Sequence, residues 1–309
     1  MAENQIDHDQ NFKELISTFF IEFLELFLPE IAKTIDPGSV KFLQQEYFVD
    51  LVEGEEKIVD LLVEVKQSGQ DATFLIHIEP QSTSRSVFPE RMFFYFARLH
   101  QVYRQRIYPI AIFSYDQPQK EAKSSYSVEF PDFKVLDFRF KAIQLNRLDW
   151  RDYVDRANPV AAALMAKMSI APTDRPKVKA ECLRLMVTLQ LNPAKSRLIS
   201  KFIDTYLRLN AKEEGEFRVE IDKLELGEKE AVMQTMTSWE LQGLEQGLEQ
   251  GLEQGLEQGL EQGLEQGLRS ATRTIALNMV RKKLALETIS EVTGLTIAEV
   301  QALQGQVNG

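Results

Sequence analysis

Apolar residues follow a helical spacing at the start of the chain and a strand-like spacing soon after it. From Asn11 to Ile35 they recur three and four residues apart, which predicts an amphipathic helix. The turn-forming sequence Asp36-Pro37-Gly38 is expected to end that helix. Three short runs rich in β-forming residues follow, at Lys41–Val52, Lys57–Lys66 and Thr73–Glu79. The pattern therefore predicts one helix followed by three strands.

The segment Ser68-Gly69-Gln70-Asp71 is a plausible hairpin connection between the second and third of these strands. Pro89 then opens a helix that includes ERMFFYFARLHQVYRQR, because proline is well tolerated at the first helical position. Two more strands are predicted, at Tyr108–Tyr115 and at Phe133–Phe140. The fold class is therefore α/β (α+β): a mixed sheet flanked by helices, over residues 1–157.

A helical pattern replaces the strands after this point. Asn158-Pro159 has the sequence of a helix cap followed by a first-turn proline. Two amphipathic helices are predicted after it, at Ala180–Leu191 and Ser196–Leu209. These patterns predict a helical subdomain over residues 158–241.

Seven copies of Gln-Gly-Leu-(Glu/Arg) fill residues 242–269. On a helix, a step of four residues advances about 400°, so the leucines drift by about 40° per copy and make no heptad seam. One interpretation is an extended, weakly helical linker, because glycine is a poor helix former and glutamates four residues apart repel each other. The other is a helix that self-associates through its glycine and leucine faces, which predicts a homo-oligomer.

The last segment, residues 270–309, predicts a helical hairpin. Two short helical pieces, around Leu286–Ile289 and Ile297–Val300, flank Thr293-Gly294-Leu295. A glycine at the sharp turn is typical of the helix-turn-helix. A small helical cap or assembly module explains the pattern as well as a DNA-reading element does.

Charge and composition narrow the class of protein. The net charge is −11, and the repeat alone, with six glutamates and one arginine, carries −5 of it. This acidic charge does not suit a protein that coats DNA without sequence preference. It is compatible with an enzyme that binds DNA through a local basic patch and holds a metal ion with acidic residues. The single Cys182 excludes a disulfide framework. No signal-peptide pattern and no membrane-spanning stretch is found, so we expect a cytoplasmic protein.

Two acidic residues stand out in the predicted sheet. Asp60 lies among apolar residues of one strand, where an acid is costly unless it is paired or bound to a cation. On the next strand, His77, Glu79 and Gln81 share one face by the period-two rule. The hairpin would bring Asp60 and Glu79 together as ligands for Mg²⁺ or Mn²⁺, which suits phosphodiester hydrolysis. Alternatively, Asp60 is a strand-end acid and Glu79 belongs to a polar face.

The block from Glu79 to Tyr95 carries a family resemblance. Asp60, then Glu79-Pro80-Gln81-Ser82, then Pro89-Glu90-Arg91-Met92 and Tyr95 resemble the PD-(D/E)XK nuclease superfamily. More narrowly, they resemble its recombination-promoting nuclease and transposase-like family. The resemblance extends through Asn158–Met165 to the terminal repeat. It implies a restriction-endonuclease-like fold and a magnesium-dependent DNA endonuclease linked to recombination or mobile elements.

The resemblance also implies roles for individual residues. Asp60 and Glu79 would be the metal-binding acids, and Gln81 would be a catalytic residue that positions the water or the backbone. Gln81 stands where the superfamily usually has lysine, which puts efficient catalysis in doubt. Glu14 would be a further acid or, alternatively, part of a solvated helix face. His77 would touch the ion or substrate or, alternatively, be a satisfied core residue. Arg91 would contact a DNA phosphate or, alternatively, form a structural ion pair.

Three rival interpretations remain at this stage. Glu64-Val65-Lys66 also spells E-x-K, but it follows Asp60 on the same strand and is interpreted as a solvated strand end. The domain is either a nuclease or a degenerate nuclease fold that binds DNA or a protein without cutting. In a third, structural hypothesis, the repeat and the terminal helices oligomerise the chain and the sheet domain is cargo.

Overall fold

The computed structural model describes residues 8–43, 47–49, 56–58, 61–69 and 73–308. The helices are α1 (His8–Thr18), α2 (Phe20–Phe27), α3 (Pro29–Ala32), α4 (Phe88–Tyr103), α5 (Pro159–Leu164), α6 (Arg175–Thr188), α7 (Pro193–Tyr206), α8 (Ala211–Asp222), α9 (Leu226–Arg281), α10 (Leu286–Thr293) and α11 (Ile297–Asn308). The strands are β1 (Lys41–Phe42), β2 (Tyr47–Val49), β3 (Glu56–Ile58), β4 (Leu61–Lys66), β5 (Thr73–Gln81), β6 (Ile107–Phe113), β7 (Ser125–Phe130), β8 (Phe133–Arg139) and β9 (Lys141–Gln144).

The main sheet has five strands in the order β1-β4-β5-β6-β9. The pairs β1–β4 and β4–β5 are antiparallel, and the pairs β5–β6 and β6–β9 are parallel. The parallel step from β5 to β6 passes through α4, as parallel neighbours require a crossover connection. The mixed α/β class predicted from the sequence is therefore confirmed, as is the antiparallel pairing of the two strands around Ser68–Asp71.

The first predicted helix is three helices in the structure. The backbone leaves helical geometry at Phe19 (φ −126°, ψ 43°), and Pro29 begins the short α3. α1 and α2 still bury apolar residues at helical spacing: Phe12, Leu15, Ile16, Phe20, Phe23 and Leu24. Burial periodicity survives such a break, so it identifies the buried face without locating the helix ends.

The strand predictions before and after β5 were only partly right. The predicted strand Lys57–Lys66 corresponds to β3 and β4, which belong to different sheets, with residues 59 and 60 outside the described part of the chain. The predicted strand at Phe133–Phe140 is β8, but it pairs with β7 in a separate hairpin. The strand that completes the main sheet is β9, which was not predicted.

Helix α4 covers one face of the sheet. Tyr95 and Leu99 pack against Leu62 and Leu75, and Met92 packs in a second cluster with Ala111 and Phe113. The helix ends at Tyr103, earlier than predicted, because Arg104 adopts a left-handed conformation with φ of 54°. Arg104 and Arg106 therefore follow the helix instead of lying on its surface.

Helices α5 to α8 follow the sheet. The prediction that Asn158 begins a helix is confirmed, since its Oδ1 accepts hydrogen bonds from the backbone N–H groups of Val160 and Ala161. Its Nδ2 donates to the Glu22 carbonyl at 2.8 Å, which ties this cap to α2. Every residue of α5 is buried. Helix α8 lies within the region predicted to be helical, although the sequence analysis gave no bounds for it.

The chain forms two compact units, Met1–Gln234 and Thr235–Gly309. In the second unit, the end of α9 packs with α10 and α11 around Ala276, Val280, Ile289, Val300 and Leu303. Gly294 joins α10 to α11 in a left-handed conformation with φ of 73°. Within the described residues, every helix is either too short or too polar to span a bilayer.

Candidate functional site

Strand β5 carries the candidate site residues. It is the middle strand of five, between antiparallel β4 and parallel β6, and every residue from Phe74 to Gln81 is buried. Leu75 packs against Tyr95 and Leu99 of α4. Since side chains alternate along a strand, His77, Glu79 and Gln81 lie on the same side as Leu75.

His77 and Glu79 form a buried pair. The distance from His77 Nε2 to Glu79 Oε1 is 2.8 Å, and the exposed fractions of the two residues are 0% and 2%. The His77 ring also meets the Tyr95 ring edge-on, with centroids 5.9 Å apart. A buried carboxylate is costly without a polar or charged partner, and the imidazole is such a partner. A carboxylate held this way can exchange a proton with the imidazole or hold a cation.

Gln81 is joined to α4 and to the loop that follows β5. Its amide nitrogen donates to the Thr83 carbonyl at 2.8 Å and to the Thr83 hydroxyl at 3.1 Å. Its amide oxygen accepts a short hydrogen bond from Nη2 of Arg91. Both polar atoms of the Gln81 side chain thus form hydrogen bonds within the protein.

Arg91 lies in the same cluster. Its guanidinium carbon is 5.1 Å from the centre of the Phe88 ring and 6.0 Å from the centre of the Tyr95 ring. Nε of Arg91 is buried and has no hydrogen-bond acceptor within the part of the chain that the structure describes. Buried donors normally have partners, so this N–H can donate a hydrogen bond to an oxygen atom of a ligand.

The other predicted site residues lie away from this cluster or outside the described part of the chain. Asp60 is outside the described residues. Glu14 is exposed on α1, where its Oε2 is 3.9 Å from Nζ of Lys201. Glu64 of the rival E-x-K motif is half-buried on β4, paired in register with Leu75. The structure therefore brings His77, Glu79, Gln81 and Arg91 together and leaves Glu14 and Glu64 outside that cluster.

The described donors alone do not form a full metal site. Within the described ranges, no group of three or more histidine, cysteine, aspartate or glutamate side chains is arranged to hold a metal ion. Glu79 supplies one anionic oxygen ligand of the type that Mg²⁺ and Mn²⁺ prefer. A site of two carboxylates needs Asp60 as well.

Sequence reasoning missed three further contacts. Tyr95 appeared as a family motif residue, yet its ring contacts both His77 and Arg91. Tyr126 of the unpredicted β7 donates a hydrogen bond to Glu90 at 3.0 Å, and this bond raises the pKa of Tyr126. Arg91 and Tyr95 are four residues apart and share a helix face, which was the available signal for the contact between them.

Cys182 is not a candidate nucleophile. It is fully buried in α6, and burial raises the pKa of its thiol. A thiol becomes reactive as the thiolate, which this environment disfavours.

The chain was compared with protein-family models, with curated proteins and with solved structures, and none of them matches. The resemblance to the nuclease superfamily therefore rests on the quoted motifs. The cluster on β5 and α4 is the feature of the molecule that bears on function.

Proposed function

We propose that the first unit is a divalent-metal-dependent DNA endonuclease with a restriction-endonuclease-like fold, in which Asp60 and Glu79 hold Mg²⁺ or Mn²⁺. The observation that carries the proposal is Glu79. It is a carboxylate only 2% exposed, on the central strand of the sheet, held by His77 at 2.8 Å. A buried acid of this kind is expensive for stability, so a role in binding a cation explains its presence.

The strand register supports the pairing with Asp60. In the antiparallel ladder between β4 and β5, Leu61 pairs with Ile78. Leu61 directly follows Asp60 in the sequence, and Ile78 directly precedes Glu79. The proposal extends this ladder by one residue, which would set the two acids across from each other.

When bound, the metal ion would activate water and neutralise charge that develops on the phosphodiester. Glu79 would supply an anionic oxygen ligand to it. His77 would fix the orientation of that carboxylate, as outer-shell partners of metal ligands do. The contact between His77 and Glu79 supports the role of His77. The preference of Mg²⁺ for carboxylate oxygens supports the role of Glu79.

Arg91 would take over the electrostatic role of the absent lysine. Gln81 accepts a hydrogen bond from its Nη2, and the Phe88 ring lies against the guanidinium. Nε remains as a donor for a phosphate oxygen. Gln81 is then a positioning residue that acts through Arg91.

Plasmid cleavage in Mg²⁺ or Mn²⁺ tests the proposal. Asp60→Asn and Glu79→Gln should each lower the nicking rate by more than about 100-fold, since a metal ligand matters at least as much as its outer-shell partner. Glu64→Gln, which changes a half-buried carboxylate on the same sheet, is the matched control and should cut like the wild type. Equal rates for Glu79→Gln and Glu64→Gln would refute the proposed site.

A second candidate is a DNA-binding domain that does not cut. It is favoured by the bonding of Gln81, whose amide nitrogen and oxygen are both engaged within the protein. No lysine stands in that position to lower the barrier for an attacking water. A wild-type protein that retards DNA on a gel in Ca²⁺, yet never nicks it in Mn²⁺, would establish this second function.

A further inference from the structure

The middle of α9 presents an uncovered row of leucines. Leu252, Leu256, Leu260, Leu264 and Leu268 recur every fourth residue and are 61–77% exposed. Single exposed leucines are ordinary on protein surfaces, but a continuous row of large apolar side chains indicates an interaction surface. This leucine ridge lies wholly within the second unit.

A glycine groove runs beside the leucine ridge. Each leucine directly follows a glycine in the sequence: Gly251, Gly255, Gly259, Gly263 and Gly267. Apart from its chain neighbours and the adjoining backbone of its own helix, a Cβ atom placed on any of these glycines meets no described atom within 4 Å. Successive residues on a helix are about 100° apart, so the groove and the ridge are adjacent on the helix surface.

We propose that the repeat docks onto the repeat of a second copy of this chain, with the leucine ridge of each copy in the glycine groove of the other. Rows with a step of four residues are inclined by about 26° to the helix axis, and two such rows interdigitate at a right-handed crossing of about 40–50°. The same face carries both the ridge and the groove. It is therefore complementary in shape to itself.

Charge selects the parallel orientation of the pair. Around the helix the four rows follow the order glutamine, glycine, leucine, glutamate, so the docking face has glutamines on one flank and glutamates on the other. In a parallel pair the glutamine flank of one copy meets the glutamate flank of its partner. Glutamine amides donate hydrogen bonds that carboxylates accept. An antiparallel pair would instead set glutamates against glutamates.

Pairing also explains why the repeat forms a helix at all. Glycine at every fourth position and glutamates four residues apart both disfavour an isolated helix. Helices in proteins gain most of their stability by packing an apolar face. The second copy supplies that packing for a segment whose leucines are otherwise exposed.

The mass of the full chain in solution, measured by sedimentation over a range of concentrations, tests the pairing. The wild type should reach about twice the 35.5 kDa chain mass. A variant with glutamine in place of Gly251, Gly255, Gly259 and Gly263 fills the groove and should dimerise at least 10-fold more weakly. Its helix content should stay equal or rise, because glutamine is a better helix former than glycine. A wild type that stays monomeric, or an unchanged dimer in this variant, overturns the proposal.

The matched control replaces Gly215 and Gly227, two helical glycines outside the repeat that also have open space around them, with glutamine. This control should dimerise like the wild type. Spin labels on Ser270→Cys then report orientation, since Cys182 is buried. A parallel pair predicts a label separation of about 20 Å and an antiparallel pair about 40 Å, from the helix rise and the crossing angle. The longer distance would overturn the parallel arrangement.

Discussion

Strand β5 and the repeat in α9 both place apolar residues at regular intervals, yet their environments are opposite. From Phe74 to Gln81 the strand is buried, with neighbours on both edges and α4 over one face. The described leucines of the repeat are mostly exposed. Burial against other elements of the chain thus selects the structure of β5, whereas the described part of the repeat has little such burial.

The polar residues of the two regions differ in the same way. Glu79 and Gln81 on β5 have specific buried or partly buried partners in His77 and Arg91. In the repeat, Glu265 pairs with Arg269 one turn later, and both side chains are more than 60% exposed. Such a surface pair contributes about 0.3–0.5 kcal/mol. Chemistry that needs a fixed, desolvated carboxylate is therefore expected on β5 and not in the repeat.

The largest expected difference comes from the same substitution in both regions. Leu75→Ala removes a fully buried side chain that packs against Tyr95 and Leu99, so the free energy of unfolding should fall by about 3–5 kcal/mol. Leu260 is 77% exposed. In dilute, monomeric protein, Leu260→Ala should therefore change the free energy of unfolding by about 0.5 kcal/mol or less. Urea denaturation measures both. Similar losses for the two variants would remove the contrast between the regions.

A second pair of variants separates the effect of backbone conformation on stability from the effect of side-chain packing. Gly294 has φ of 73° and no described atom within 4 Å of an added Cβ, so Gly294→Ala should destabilise the α10–α11 turn by about 1–2 kcal/mol through backbone strain alone. Gly215 lies inside α8 in equally open space, and Gly215→Ala should stabilise its helix by up to about 1 kcal/mol.

Hydrogen exchange of the peptides that contain α8 and α10 reports each local effect. Protection should fall about 5- to 30-fold in α10 for Gly294→Ala and rise in α8 for Gly215→Ala. A change of the same sign in both helices would mean that the left-handed turn does not limit the stability of the terminal hairpin.

Local signals made much of this fold predictable. Period-two alternation grouped His77, Glu79 and Gln81 on one face of β5, and Asn158-Pro159 identified the start of α5. Gly294 marked the turn between the terminal helices. Each of these features is decided within a few residues of sequence, by side-chain periodicity, a cap or a left-handed backbone.

Features that depend on distant residues were not predictable. The break at Phe19 leaves no mark in the hydrophobic pattern, since apolar spacing continues through it. Strands β7 and β9 are short and partly exposed, so their hydrophobic pattern is weak. The hydrogen bond between Gln81 and Arg91 joins a strand to a helix ten residues later. In the sequence, Arg91 is simply a basic residue near the start of a helix.

The smallest expected effect concerns two helix caps, one in each unit. The Asn210 backbone N–H donates to Glu213 at 2.8 Å, and the Thr296 backbone N–H donates to Glu299 at 2.8 Å. The Asn210 backbone bond is the main cause that lowers the pKa of Glu213, with Arg175 as a further cause, whereas Thr296 lowers the pKa of Glu299. Because both pKa values are lowered, each cap stabilises its helix above the usual glutamate pKa and loses that contribution as pH falls through the folded value.

NMR titration of the Asn210 and Thr296 amide shifts should therefore give midpoints below the usual 4.5 for both glutamates. Arg175 donates from Nε to Glu213 at 2.9 Å, so Arg175→Gln should raise the midpoint of Glu213 and leave that of Glu299 unchanged. That result would extend the contrast to the two helix caps. Arg175 adds a tertiary contact to the cap at Asn210, whereas the described contacts of the cap at Thr296 are local. If Arg175→Gln leaves the Glu213 midpoint where it was, the first cap is as local as the second.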